Sequence, residues 1–248
     1  MRLYIGNKNY SSWSLRPWLL LRQAGIAFEE TRLSFGDISE DGPFKREARK
    51  LSPTARVPVL EDGALRIWDS LAIAEYLAEK FPEKQLWPAD AGQRAQARCV
   101  VAEMHAGFGA LRTAFPMNIE LNAPEIGPRV LKEKPAAAAD LARIDQIFSQ
   151  GKGPWLFGGF GIADAYYAPI ASRIRSYGLP LSAAAEKFVE SVFALPSMQE
   201  WVNAALAEHD FVADHEPYRK PRDAPEVTLH ERQANGRNPN AGGAAAPA

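Results

Sequence analysis

Apolar and polar positions follow two different periods in the first eighty residues. Short apolar runs bounded by turn-forming residues predict strands at 2–6, 28–33, 57–61 and 64–68. Runs with a period near 3.6 predict three helices, one ending at Gly25, one over 43–51 and one from 70 to 81. Asp62-Gly63 separates the last two strands and is typical of a two-residue hairpin turn. The predicted order is β-α-β-α-β-β-α, an α/β arrangement.

The rest of the chain shows only the helical period. Residues 82–91 contain two prolines and no periodicity, and we interpret them as a linker. Helices are predicted over 93–115, 128–148, 162–177, 183–193 and 196–208, which is typical of a helical bundle. Pro, Arg, Asn, Gly and Ala dominate residues 216–248, and such a segment cannot bury enough apolar surface to offset its ordering entropy. We therefore predict two domains, 1–81 and 92–215, followed by a disordered tail.

Composition and charge exclude several classes of function. A formal net charge of −1 provides no electrostatic attraction to nucleic acid or to an anionic membrane, and no apolar run is long enough to span a bilayer. Cys99 is the single cysteine, which excludes an intrachain disulfide and any CxxC motif and fits a reducing, cytoplasmic location. The four histidines lack metal-ligand spacing. The expected chemistry is organic and metal-free.

The first candidate site is the serine-rich segment 10–14, just before the first predicted helix. Pro17 fixes the start of that helix within a few residues upstream, so Ser11, Ser12 and Ser14 lie around its N-terminus. These serines could simply cap the helix. The functional alternative is that a hydroxyl at the positive end of a helix stabilises a bound thiolate.

The second candidate site is Val57-Pro58, at the start of an apolar strand. Proline cannot donate a hydrogen bond to a neighbouring strand, so Pro58 indicates either an edge strand or a cis peptide bond in a tight turn. A cis bond would turn the backbone N–H and C=O of Val57 outward, where they could pair with an extended peptide.

The third candidate site is Asp69-Ser70, at the start of the helix predicted over 70–81. Either residue could cap that helix, or Ser70 and the free N–H groups could bind a carboxylate while Asp69 holds an ammonium group. The three sites together would suit a thiolate, a peptide backbone and an amino-acid head group. Glutathione contains these three parts in that order.

In these segments the chain resembles the cytosolic glutathione transferase family, over roughly residues 1–210. Ser-Ser-Trp-Ser at 11–14 resembles the serine-type active-site motif of the zeta class, with Trp13 in place of its cysteine, and indicates a bacterial-type member. The segments 56–60 and 69–77 resemble the cis-proline segment and the γ-glutamyl-binding helix. The stretch from Gly161 to Asp164 resembles the capping box of a core helix in the second domain. The resemblance implies a thioredoxin-like domain, an all-helical domain and a homodimer.

The resemblance also implies a role for each matching residue. Ser11 would stabilise the thiolate, with Ser12 as the second choice. Arg56 would lie near the glycyl end, Val57 would pair with the cysteinyl backbone after the cis Pro58, and Asp69 with Ser70 would hold the γ-glutamyl end. An electrophile pocket between the domains could be lined by Trp13, Met104, Phe108, Phe115 and Tyr167, although an aromatic stripe at helical spacing is more often part of a core.

Three functions follow as hypotheses. The first is an enzyme that conjugates glutathione to a small electrophile. The second uses the same site for glutathione-dependent isomerisation, as in maleylacetoacetate isomerase, or for dehalogenation. The third is a non-catalytic module that binds ligands or other proteins. Retention on glutathione resin separates the third hypothesis from the first two.

Overall fold

The computed structural model of the chain describes residues 1–151, 153–220 and 228–229. Its N-terminal part has the predicted β-α-β-α-β-β-α order and a thioredoxin-like fold. The elements are β1 (Arg2–Ile5), α1 (Ser12–Gln23), β2 (Glu29–Arg32), α2 (Pro43–Leu51), β3 (Val59–Asp62), β4 (Leu65–Trp68) and α3 (Ser70–Lys80). The boundaries of α2 match the prediction because Pro43 is favoured in a first helical turn.

The four strands form one sheet in the order β2-β1-β3-β4. β1 is parallel to β2 and antiparallel to β3, and β3 is antiparallel to β4. Asp62 pairs with Leu65, so the hairpin turn is Gly63-Ala64, one residue later than predicted, and Gly63 takes the left-handed φ of 61°. Alternate β1 residues face opposite sides, with Leu3 packed in the core beside α1 and α3 and Tyr4 against the cluster that contains Phe44 of α2.

The C-terminal part is helical, as predicted, with two short strands in addition. Its elements are α4 (Ala91–Ala106), α5 (Gly109–Ala114), β5 (Leu121–Asn122), α6 (Ile126–Glu133), α7 (Pro135–Ser149), α8 (Ile162–Tyr177), α9 (Ala183–Ala194), α10 (Pro196–Glu208) and β6 (Thr228–Leu229). α8 is buried along almost its whole length and packs against α1, α4 and α9. In the part of the chain that the structure describes, no helix has both the length and the apolar character needed to cross a membrane.

Two of the predicted long helices are each divided in two. The helix predicted over 93–115 breaks after Gly107, where a Cβ atom would lie 2.6 Å from the carbonyl oxygen of Glu103, and Phe108 takes a left-handed φ of 55°. The helix predicted over 128–148 is interrupted before Pro135, which begins α7, because a proline inside a helix loses a hydrogen bond and clashes with the preceding turn.

The tail predicted at 216–248 begins too early. Glu216 and Arg219 are buried, with 6% and 7% exposure, because they pair with each other and with groups of the folded body. Residues 221–227 and 230–248 of that prediction lie outside the described residues. The predicted domain boundaries at 81 and 92 stay a prediction.

Candidate active site

A cavity of about 590 Å³ lies between the sheet-containing half and the helical half. Its first wall consists of residues around the start of α1, α2 and the segment before β3, namely Tyr10, Ser11, Ser12, Trp13, Phe35, Ile38, Phe44, Lys45, Arg56 and Val57. The opposite wall comes from α5, the segment after it, α8 and the C-terminal segment, namely Gly109, Arg112, Thr113, Pro116, Met117, Arg173 and His215. The cavity thus brings together five of the predicted site residues: Ser11, Ser12, Trp13, Arg56 and Val57.

Ser11 lies at the N-cap position of α1 and is 5% exposed. Its hydroxyl donates a 2.7 Å hydrogen bond to the Ser14 hydroxyl, which also accepts the N–H of Gly6 at 3.2 Å. Ser14 therefore supports Ser11 and is itself fully buried. Because α1 begins at Ser12, the unpaired N–H groups of its first turn give this end of the cavity a positive potential.

The peptide bond between Val57 and Pro58 is cis. β3 begins two residues later, at Val59, and no backbone hydrogen bond among the described residues involves Val57. Val57 lines the cavity, whereas Pro58 is buried beside it and does not. The backbone of Val57 therefore remains available to an extended ligand.

Asp69 and Ser70 lie outside this cavity. Asp69 caps α3, since one carboxylate oxygen accepts the N–H of Leu71 at 2.7 Å and the other is 3.4 Å from Nε2 of His105. The Ser70 hydroxyl is buried and lies 3.0 Å from the Tyr166 hydroxyl. The rings of His105 and Trp13 make an edge-to-face contact with centroids 5.3 Å apart, so the His105 ring lies between Asp69 and the cavity wall.

Four residues predicted to line an electrophile pocket lie in the hydrophobic core instead: Met104, Phe108, Phe115 and Tyr167. The break after Gly107 redirects the chain within the predicted stripe, and Tyr167 of α8 is buried against Phe108 and Phe148, with ring centroids 6.3 and 5.6 Å away. The Tyr167 hydroxyl donates to the carbonyl of Val100 at 3.0 Å. Of the predicted pocket residues, Trp13 alone is part of the cavity wall.

Two cations that the sequence analysis missed complete the cavity, Arg112 and Arg173. Arg173 is 4% exposed and donates to the carbonyls of Phe115 and Pro169 at 2.7 and 3.0 Å, with no carboxylate partner among the described residues. Burial lowers the pKa of Arg173 to about 10, so it remains a cation at neutral pH. Arg173 follows the apolar and small residues 165–171 of the predicted helix, and a charged side chain beside such a run was the signal for this group.

The charge of the cavity wall is one-sided. Lys45 and Arg56 lie on one wall, Arg112 and Arg173 on the other, and no Asp or Glu is among the lining residues. The guanidinium carbon of Arg112 lies 5.3 Å from the centre of the Trp13 ring. Such a wall favours ligands that carry negative charge.

Arg16 supports Trp13 from below. Its guanidinium group lies 3.9 Å from the centre of the Trp13 ring and 4.7 Å from that of Tyr166, and Nε donates to the carbonyl of Tyr166 at 3.3 Å. Burial lowers the pKa of Arg16 to about 9. The stacking holds Trp13 in position and adds a further positive charge behind it.

Tyr10 and His215 close the cavity at the C-terminal side. The hydroxyl of Tyr10 donates to Oε1 of Glu216 at 2.6 Å, and burial followed by this hydrogen bond raises the pKa of Tyr10. The His215 ring stacks on Phe35 with centroids 5.7 Å apart, and burial lowers the pKa of its imidazole. Tyr10 thus presents its ring to the cavity while its hydroxyl is engaged elsewhere.

Asp164 positions α8, which carries Arg173. One oxygen of its carboxylate accepts the N–H of Gly161 at 2.8 Å, which is the reciprocal half of a capping box. The other oxygen accepts the N–H of Leu156 at 2.9 Å. The side chain is 1% exposed, and burial raises its pKa to about 7.

Comparison with known proteins places this geometry in context. A family model described as glutathione S-transferase, N-terminal domain, matches residues 10–80. A maleylacetoacetate isomerase from Pseudomonas aeruginosa is 30% identical over 195 residues, which cover 74% of this chain and 85% of that protein. A stringent starvation protein A homolog from Haemophilus ducreyi is 24% identical over 213 residues, covering 84% and 92%. The crystal structure of a glutathione transferase homolog from Burkholderia with bound glutathione has a TM-score of 0.61 and 25% identity, and the match covers 82% of this chain and 96% of that one.

Proposed function

The chain belongs to the glutathione S-transferase family, and we propose that it joins the thiolate of glutathione to a small electrophile that carries a carboxylate. The observation behind this proposal is the cavity with Ser11 and Val57 on one side and four cations around it. The negative charge of each ligand would be balanced by a different pair of these cations.

Glutathione would lie along the first wall. Its cysteinyl backbone pairs with the N–H and C=O of Val57, which are free in the described fold. Its glycyl carboxylate lies near Arg56 and Lys45, and its γ-glutamyl end extends past Trp13 toward the start of α3. There the carboxylate of Asp69 meets the glutamyl ammonium, and the free N–H groups of the helix meet the glutamyl carboxylate.

The thiol would be placed at the start of α1. A free thiol with a pKa of about 8.5 is only a few per cent ionised at neutral pH. The Ser11 hydroxyl, the N-terminal end of α1 and the surrounding cations all favour the charged sulfur. The resulting thiolate is the nucleophile, and no general base is required.

The electrophile would occupy the second wall. Thr113, Pro116 and Met117 form a mixed, partly apolar surface for its carbon skeleton, and Arg112 with Arg173 holds its carboxylate. This arrangement brings the electrophilic carbon close to the sulfur and orients it, which is the main contribution a transferase makes once the thiolate has formed.

Paired substrates test the proposal. Unsaturated carboxylic acids are compared with neutral amides of the same carbon skeleton, and glutathione adduct formation is measured for each. We expect kcat/KM to favour the acids, and Arg112→Met to remove most of that preference. Arg175→Met, which removes a cation from α8 outside the cavity, is the control. Equal rates for acids and amides would refute the acidic electrophile, and failure of the folded protein to bind glutathione resin would refute the transferase.

A glutathione-dependent isomerase is the second candidate. The name of the Pseudomonas relative describes an isomerase, and an acidic substrate would suit the same cations. The two reactions differ in stoichiometry, because isomerisation leaves the glutathione concentration unchanged whereas conjugation consumes it. Dehalogenation would release halide. A non-catalytic module would give no isomer, no glutathione conjugate and no halide.

We also propose a cytoplasmic homodimer. Leu65 and Trp68, on the edge strand β4, are the large apolar side chains with high exposure among the described residues, at 48% and 42%. An apolar sheet edge in water is typical of an interface. Sedimentation of the wild-type protein should give twice the mass of one chain. The double variant Leu65→Lys, Trp68→Lys should sediment with the mass of a single chain.

A further inference from the structure

Glu208, in the last turn of α10, holds the loop that leads into the candidate active site. Its Oε1 accepts the N–H of Lys8 at 2.8 Å, and its Oε2 accepts the N–H of Asn9 at 3.3 Å. The Glu208 side chain is 8% exposed and also contacts Arg32 at 3.3 Å. One carboxylate thus satisfies two consecutive backbone donors that lie two hundred residues earlier in the sequence.

The residues after Glu208 hold the same loop at its two ends. Nδ2 of Asn7 donates to the carboxylate of Asp210 at 2.5 Å, and the hydroxyl of Tyr10 donates to Glu216 at 2.6 Å. Glu216 is in turn paired with Arg219, and both are buried. We call residues 208–219 the C-terminal clasp and residues 7–10 the approach loop.

The approach loop determines where Ser11 lies. The N–H of Ser11 donates to the carbonyl of Asn7 at 2.7 Å, and the N–H of Tyr10 donates to the same carbonyl at 3.1 Å. The turn between Asn7 and Ser11 therefore sets the direction of the Ser11 side chain. Its two middle N–H groups, those of Lys8 and Asn9, are the ones that Glu208 accepts.

We propose that Glu208 is a positioning residue that keeps Ser11 where its hydroxyl can turn from Ser14 to the glutathione thiol, an inference that rests on the proposed function. Glu208 does not line the cavity, so it acts through the approach loop and not on the ligand. The Lys8 side chain is engaged elsewhere, with Nζ 2.8 Å from the Glu30 carboxylate, so Glu208 holds the backbone of Lys8 rather than its charge.

The test compares three variants by ultraviolet titration of the thiolate of bound glutathione. Glu208→Ala removes both acceptors, Glu208→Gln keeps one, and Glu200→Ala removes an exposed carboxylate of the same helix that pairs with Arg22. Below the pKa of the bound thiol, a rise of about 0.7 in that pKa lowers the thiolate fraction, and with it kcat, about fivefold. We expect this rise in Glu208→Ala, a smaller one in Glu208→Gln and none in Glu200→Ala, with the KM for glutathione nearly unchanged.

All titrations are made well below the melting temperature of each variant, so that a loss of stability does not enter the result. A titration in Glu208→Ala equal to that of wild type overturns the inference, even if the variant melts earlier. A parallel fall in glutathione affinity with an unshifted thiol pKa overturns it as well. Ser11→Ala and Ser12→Ala are measured beside these variants. A titration that neither serine variant shifts refutes the serine-based function itself, whereas a shift in Ser11→Ala without one in Glu208→Ala refutes only the role of the clasp.

Discussion

Replacing Ser11 by alanine tests the proposed chemistry at a single atom. The substitution removes the hydroxyl that lines the cavity and donates to Ser14, and leaves the backbone of the N-cap in place. We expect a higher pKa for the thiol of bound glutathione and slower turnover at neutral pH. Glutathione affinity should fall little, because Val57, Asp69 and Ser70 are proposed to supply most of its contacts.

The structure sets the size of this effect. A hydrogen bond from a hydroxyl to a charged sulfur contributes about 1.5–3 kcal/mol, and a neutral one about 0.5–1.5 kcal/mol. Turning toward the sulfur means that Ser11 gives up its bond to Ser14, so the net gain is the difference, about 1–1.5 kcal/mol. One pKa unit corresponds to about 1.4 kcal/mol, so the expected shift is about one unit. The helix N-terminus contributes a further 0.3–1 kcal/mol, roughly, that the substitution leaves in place.

Thiolate absorbance in the ultraviolet, titrated against pH, measures this shift directly. Turnover should fall up to about tenfold below the thiol pKa and approach the wild-type value well above it, because the thiolate then forms without help. Ser12→Ala, one residue away on the same wall, is the matched control. If Ser12→Ala moves the titration and Ser11→Ala does not, the serines have been assigned in the wrong order. If neither moves it, the serine-type site is refuted. The Tyr10 hydroxyl is not a replacement donor, because it is already donated to Glu216.

Three further predictions concern stability, the C-terminus and the cysteine. Asp164→Ala should lower the free energy of unfolding by about 1–2 kcal/mol at neutral pH without changing glutathione affinity. Because burial raises the folded-state pKa to about 7, the loss should grow as the pH falls from about 7 to about 4 and stay constant below that. Denaturant titrations showing no pH dependence would contradict this. Removing residues 222–248 should leave the melting temperature and glutathione affinity nearly unchanged, and a drop of several degrees in this variant would contradict the prediction. Ending the chain at residue 207 should destabilise the protein strongly. Mass spectrometry should find no glutathionylated intermediate during disulfide reduction, because Cys99 lies on α4 and does not line the cavity, and a trapped adduct would disprove this.

Local signals in the sequence were sufficient for most of the fold. Pro43 and Pro196 begin helices whose boundaries match the prediction, because proline is favoured in a first turn and disfavoured later. The same rule, applied to Pro135, would have divided the helix predicted over 128–148. Two nearby glycines, Gly107 and Gly109, likewise indicated the break between α4 and α5, and the strong apolar periodicity around them outweighed that signal.

The candidate site was predictable where its residues are neighbours in sequence. Ser11, Ser12 and Trp13 belong to one turn, and Arg56 and Val57 precede one strand, so short motifs contained them. Arg112 and Arg173 were not predictable in this way, since they are 61 residues apart in sequence and come to the same cavity only in the folded chain. The prediction of the residues that line the electrophile pocket was wrong for a related reason. Spacing along one helix does not show which face of the helix lies toward the cavity and which toward the core.

The C-terminal clasp shows why polar composition misleads at the end of this chain. Glu208, Asp210, Glu216 and Arg219 have no apolar period, and residues of this kind normally remain in water. They are held in the fold because each is matched by a specific partner: the backbone of the approach loop, Asn7, Tyr10 or one another. Burial of charge is stable only with such partners, and removing one of a pair leaves the other uncompensated. In the proposed arrangement, the geometry at Ser11 thus depends on a segment whose last residues, Glu216 to Arg219, were predicted to belong to the disordered tail.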